Sequence, residues 1–275
     1  MHRPNAPNLI FIPNEAVTLE ILELDRQAAR SYSTKLAAFE ARFRYPLGTD
    51  FFSIDHGEDY LAFFETLGEP RLFLACHDDA IVGVLVAVHR QLPQQAIYLG
   101  DLKVAPQYNG TFASLQLLEA FDRLSGDAPA YGISMDPAHG RNRLVDILTR
   151  SRRATLSLAC RLVFFSMDIE AWSKSEALMR AAFGDLGWVD HRGRKDIMLE
   201  STGAPMPLLH LQHAPLGRME ADGPRAGHVH MFCLPETHPC VAKLRSDGHE
   251  VSGHASILQR GLDQVDWSIV LTSDI

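Results

Sequence analysis

Cysteine is scarce in this sequence. Four thiols, Cys76, Cys160, Cys233 and Cys240, lie scattered over 275 residues, which argues against a disulfide framework and for a reducing, cytoplasmic setting. Long apolar runs are also missing. No stretch approaches the roughly 20 residues needed to cross a bilayer, and the opening MHRPNAPNLIFIP lacks the charged and apolar regions of a signal peptide. Positive charge is in deficit, 26 Lys and Arg against 34 Asp and Glu, and a net charge of -8 argues against a nucleic-acid-binding surface. The nearest approach to a basic run is Arg141 to Arg153, where Arg141, Arg143, Arg150, Arg152 and Arg153 surround an apolar helical stripe. It reads as a solvated face or as a wall for an anionic ligand.

Further absences narrow the chemistry. There is no Gly-x-Ser-x-Gly elbow, and the GDLGW segment at 184–188 lacks the strand context of a dinucleotide fingerprint. The 13 histidines show no zinc spacing. His228 and His230 share a strand face and His210 and His213 do not, so the expectation is that no metal is held.

What is present is globular: 46% hydrophobic and 22% charged residues are enough for one or two cores. A strand or hairpin is expected within 8–24, a helix over 25–43, a loop over 45–57 whose Phe51–Phe52 pair is either exposed or plugs the core, and a short helix over 58–67. Strands at 71–76, 81–88 and 96–104 form an antiparallel meander, followed by a helix over 110–124, a strand at 130–135 and a helix at 142–151. The second half is less legible. Strands are expected at 157–168, 195–199, 208–213, 228–234 and 267–271, with helices at 173–183 and 238–245. The segment GRMEADGPRAG at 217–227 reads as a linker, and a soft boundary near 202–207 divides residues 1–204 from a smaller unit over 205–275. The mixed order places helices over both faces of a central sheet.

The stretch AIYLGDLKVAPQYNGTFASLQLLEAFD, Ala96 to Asp122, is the pivot. A strand runs through the turn residues PQYNG into a helix whose apolar stripe is Phe112, Leu115, Leu117, Leu118 and Phe121. A helix N-terminus offers backbone N–H groups without internal partners, so this geometry is a candidate anion site.

That stretch, with the order of elements over the first 150 residues, resembles the GCN5-related N-acetyltransferases (GNAT). The resemblance implies an acyl-CoA N-acyltransferase fold, a mixed central sheet flanked by helices, here with a C-terminal α+β extension. It implies that the backbone of Leu102, Lys103 and Val104 lines the pantetheine arm of acetyl-CoA or another acyl-CoA. The loop Asn109, Gly110, Thr111, Phe112, Ala113 and Ser114 would receive the pyrophosphate. Asn142 matches an asparagine at the start of a later helix and joins the cofactor set. Where the family's loop carries Arg or Gln and small residues, this chain has Asn109, Phe112 and Ser114, so an acyl carrier protein is an alternative donor. Asp101 is the implied catalytic base, which requires a raised pKa or a water relay. The family's tyrosine acid has no counterpart in the 142–151 helix, and Tyr131, Ser134 and Thr149 are equal candidates to stand in for it. The implied acceptor is an amine of a small molecule or protein, with the 43–52 loop and the C-terminal region shaping its site and a homodimer as the oligomer to test. The alternative is an inactive, ligand-binding or regulatory protein of the same fold.

Overall fold

The computed structural model describes residues 18–47, 50–91, 94–109, 112–150, 156–213 and 222–275. Gly110, Thr111, Arg152, Arg153 and residues 217–221 of the 217–227 linker lie outside the described residues, as does the start of the 8–24 strand.

In chain order the strands are β1 (Glu20–Leu24), β2 (Tyr45–Leu47), β3 (Asp50–Asp55), β4 (Glu69–His77), β5 (Ala80–Gln91), β6 (Gln95–Val104), β7 (Ala130–Met135), β8 (Ser157–Met167), β9 (Leu186–Val189), β10 (Asp196–Leu199), β11 (Leu208–His213), β12 (Val229–Pro235) and β13 (Gly253–Arg260). The helices are α1 (Arg26–Arg30), α2 (Ser33–Glu40), α3 (Ala62–Glu65), α4 (Ala113–Ser125), α5 (Arg143–Arg150), α6 (Ile169–Phe183) and α7 (Pro239–Ser246). Asp25 and Asp168 cap α1 and α6 by accepting from Ala28 N at 2.9 Å and Ala171 N at 2.8 Å.

Ten strands form one sheet in the order β1-β4-β5-β6-β7-β13-β8-β12-β11-β9. Outward from the central β13–β8 pair, the two sides match: antiparallel to β7 and β12, parallel to β6 and β11, antiparallel to β5 and β9. The crossovers β7-α5-β8 and β12-α7-β13 match as well, giving the sheet an approximate internal two-fold. The boundary expected at 204/205 falls between β10 and β11, and β13 lies between β7 and β8.

Alternation along the strands separates the cores. On one face a continuous apolar layer runs from Phe39, Phe63 and Phe64 through Val86, Tyr98 and Tyr131 to Phe164, Cys233 and Trp267. On the other, α4 buries Leu117, Leu118 and Phe121 over the first half, while Trp172, Met179 and Val241 of α6 and α7 cover the second.

Several expectations are corrected. The single helix over 25–43 is broken at Ser31–Tyr32 into α1 and α2. The 45–57 loop contains β2 and β3, which form a separate three-stranded sheet with β10, β3 in the middle; Phe52 stacks on Tyr45 there, and Phe51 is exposed. The closing strand at 267–271 is a 3-10 turn at Trp267–Ile269, because Asp266 caps it by accepting from Ser268 N. Strands β9 and β13 escaped the sequence reading. Phe112 does not join the α4 stripe: it sits at the N-cap in a left-handed conformation (φ 61°), 67% exposed.

Candidate functional site

β6 and β7 are hydrogen-bonded only from Ile97/Ala130 to Leu99/Gly132, although β6 continues to Val104 and β7 to Met135. Beyond that point β6 follows β5, with Val84 opposite Lys103, and β7 follows β13, with Ala255 opposite Met135. The two strands therefore part. Backbone groups alternate in direction along a strand, so the Leu102–Val104 segment directs part of its N–H and C=O set toward this opening. The 3-10 turn Pro106–Tyr108 then leads to α4, whose N-terminus begins at Ala113.

A β-bulge marks the start of the opening. Asp101 and Leu102 both lie between the pairs Val86↔Gly100 and Val84↔Lys103, and Asp101 adopts φ 49°. A non-glycine residue in this region costs on the order of 1–3 kcal/mol, held in place by surrounding structure. The preceding Gly100 is tightly packed: a Cβ there would lie 3.0 Å from Phe64 Cε1 and 3.1 Å from Tyr98 Cε1.

The bulge turns Asp101 into a buried charged cluster. Lys103 Nζ lies 2.9 Å from Glu40 Oε2 and 3.4 Å from Asp101 Oδ2. The Tyr60 hydroxyl is 3.0 Å from both Glu40 Oε1 and Asp101 Oδ2 and has one proton to donate between them. His56 Nε2 is 3.2 Å from Asp101 Oδ2, too oblique for a good hydrogen bond, and Nδ1 has no partner among the described residues. Lys195 Nζ stands 3.9 Å from Asp101 Oδ1 and 4.3 Å from the Phe63 ring centroid.

The small sheet explains how distant residues converge. Asp196 of β10 is opposite Asp55 of β3, so their neighbours Lys195 and His56 emerge side by side over the bulge. The chains approach so closely there that a Cβ on Gly57 (φ 66°) would meet the Gly193 carbonyl oxygen at 2.5 Å. Glu40 arrives from α2, one turn beyond Leu36 on the buried side.

Electrostatics fix the protonation states. Burial by itself would raise the Asp101 carboxyl, but the Lys103 and Lys195 ammonium groups, with His56, outweigh it and hold the pKa well below the usual range. That is the reverse of the raised pKa required for Asp101 to act directly as a base. Burial would lower Lys103, yet Asp101 and Glu40 reverse the effect and raise it. Lys195 goes the other way: burial lowers it, Asp101 only partly compensates, and Lys103 repels it. Tyr60 is driven well above its ordinary value by burial and the two carboxylates.

Among the described residues, Glu40, His56 and Asp101 form a trio whose ligand atoms lie within 4.8 Å of one another. The Lys103 ammonium already stands between both carboxylates, where it opposes a metal cation. His210 bonds instead to Thr272 Oγ1, and His230 accepts from Arg225 N.

The remaining expected residues fall around the opening. Asn109 is exposed at the end of the 3-10 turn, Ala113 is buried and Ser114 is half-buried at the start of α4. Asn142 Nδ2 lies 3.0 Å from Ser134 Oγ and from Asp136 Oδ1, while its Oδ1 accepts from Val145 N, tying β7 to the start of α5. Tyr131 is buried and accepts from Arg90 at 2.8 Å; Thr149 donates to Val145 O within its helix. Lys195, His56, Glu40 and Tyr60 were missed by the sequence reading. Only Glu40 left a trace, as an acid on the apolar side of its helix.

No protein-family model matches this sequence, and no curated protein sequence matches it. Solved structures do. A tandem GNAT protein from the clavulanic acid biosynthesis pathway, solved without AcCoA, aligns over 88% of this chain and 98% of its own, with TM-score 0.50 and 10% identity. A GCN5-related N-acetyltransferase from Kribbella flavida covers 91% of this chain and 73% of its own, with TM-score 0.42 and 13% identity.

Proposed function

We propose that this chain, which has the fold of the GCN5-related N-acetyltransferases, is an N-acyltransferase that moves an acyl group from a thioester, acetyl-CoA or another acyl-CoA, to an amine. The observation that carries the reading is the opening between β6 and β7, bordered by β6 backbone that no longer pairs with β7 and by the bulge at Asp101. Pantetheine amides would pair with Leu102, Lys103 and Val104, as an added strand pairs with an edge. The pyrophosphate would lie toward Asn109–Ser114 and the N-terminus of α4, where N–H groups and the helix dipole favour negative charge. With its low pKa, Asp101 serves as a fixed negative charge that holds an incoming ammonium, and its proton leaves through water.

Four free cysteines and the lack, among the described residues, of a helix long and apolar enough to cross a membrane are compatible with a cytoplasmic enzyme. The acceptor is a small-molecule or protein amine. The exposed Phe112 phenyl beside the phosphate position keeps an acyl carrier protein as the second donor to assay.

A second reading, a binding or regulatory module without turnover, draws on the charge balance of the cluster, where Asp101 is already matched by two lysines. Titration calorimetry with acetyl-CoA and a longer acyl-CoA, paired with amide hydrogen exchange, tests the first. Heat together with slowed exchange at Leu102–Val104 is expected. No heat and no protection would sink the CoA version, whereas binding without thiol release toward any amine would favour the second.

A further inference from the structure

The acceptor side of the bulge already contains an amine. Lys195 Nζ belongs to a side chain only 10% exposed, finds no hydrogen-bond acceptor among the described residues, and has Asp101 Oδ1 at 3.9 Å as a neighbouring anion. Phe63 and Phe64 pack under it, with the ammonium 4.3 and 5.6 Å from their ring centroids. Phe64 also lies over Gly100, the residue just beyond the last β6 pair with β7, so the amine stands above the mouth of the opening.

Lys195 lines a cleft with Asp190, His191, Arg192, Pro207 and His210, which gives it a route to solvent. A lysine placed for stability alone would close its ion pair to hydrogen-bond distance, as Lys103 does with Glu40 at 2.9 Å. Lys195 stays 3.9 Å from Asp101 Oδ1, at the outer edge of an ion pair.

Resting on the acyltransferase reading, we propose that Lys195 is the site's own acyl acceptor and that the protein acylates itself there. The neutral Nζ attacks the thioester carbonyl carbon, the C–S bond breaks, and the departing thiolate takes the proton shed by nitrogen. An amide and a free thiol result, with no oxidant or metal required. Burial favours the neutral amine, since it lowers the lysine pKa. The product removes one positive charge from the cluster and leaves Glu40 and Asp101 facing Lys103 alone, so acylation also reshapes the site.

The test is incubation of the full chain with acetyl-CoA, followed by intact mass and peptide mapping, with calorimetry on the same sample. One acetyl group is expected, mapped to Lys195 ahead of the exposed Lys35, Lys174 and Lys243, and lost in Lys195→Arg. Mapping on the unsubstituted chain decides the matter even if that variant misfolds. Acetyl-CoA binding with Lys195 unmodified, or modified no faster than the exposed lysines or than urea-unfolded chain, overturns the proposal while leaving the acyltransferase reading intact. Absence of binding removes both.

Discussion

Lys103→Met is the most informative perturbation of this fold. The substitution keeps most of the side-chain volume and deletes one charge that serves two carboxylates, Glu40 at 2.9 Å and Asp101 at 3.4 Å. All three side chains are at most 10% exposed, so water cannot replace the ammonium without opening the site. Removing one partner of a buried pair costs about 3–5 kcal/mol, because the remaining charges stay desolvated. Lys195 offsets part of this for Asp101 but lies at 3.9 Å, and Glu40 is left with the Tyr60 hydroxyl. We therefore expect a loss of about 3–4 kcal/mol, a sizeable fraction of an ordinary domain's 5–15 kcal/mol. Urea unfolding at pH 7 measures it as a lower midpoint at unchanged slope. The double variant Glu40→Gln with Lys103→Met should lose less than the two single changes together, since it removes both signs. A loss below about 1 kcal/mol for Lys103→Met would refute the claim that this ammonium neutralises a desolvated cluster.

Other perturbations follow from the same geometry. Gly100→Ala should cost about 1–3 kcal/mol in urea unfolding, because its methyl would stand 3.0 Å from Phe64 and 3.1 Å from Tyr98, two buried rings that must shift within a packed core to admit it. Asp274→Ala leaves the buried Arg90 guanidinium, now 3.1 Å from that carboxylate, with the Tyr131 hydroxyl as its remaining partner, and should lower stability by about 3 kcal/mol; calorimetric unfolding reads it. Acidification should destabilise the chain between pH 6.5 and about 4. His191 is held down to about 4, chiefly by burial, and His210 is lowered in the same direction, so the unfolded chain binds protons in this window that the folded chain refuses. For His191 the loss is at most about 3 kcal/mol, lessened by its partial exposure. Equal urea midpoints at pH 7 and pH 4.5 would contradict it.

The split between sequence and tertiary structure follows the range of the interactions involved. The short apolar strand-forming runs RLFLAC and IVGVLVAV, the turn residues of PQYNG and the stripe of Leu117, Leu118 and Phe121 are local signals, so the meander, α4 and the strand leading to it could be read directly. So could the position of Asp101 ahead of a helix N-terminus. Residues 45–55 gave no clear period because Pro46 interrupts them and their sheet partner β10 lies about 150 residues away in the chain. The same distance hid the chemistry. His56 and Lys195 flank a strand pair whose register no local pattern encodes, and only that register brings them to Asp101.

The sequence by itself therefore determined the β4-β5-β6 meander and the helix α4 that follows it, and where a carboxylate borders a helix-terminated strand. Tertiary structure decided that β6 and β7 part after Leu99 and Gly132, that β13 inserts between β7 and β8, and that Asp101 is neutralised by two lysines, one in β6 and one in the turn before β10. Backbone propensity acts over a few residues, whereas desolvation and charge pairing depend on whatever the fold packs around a group.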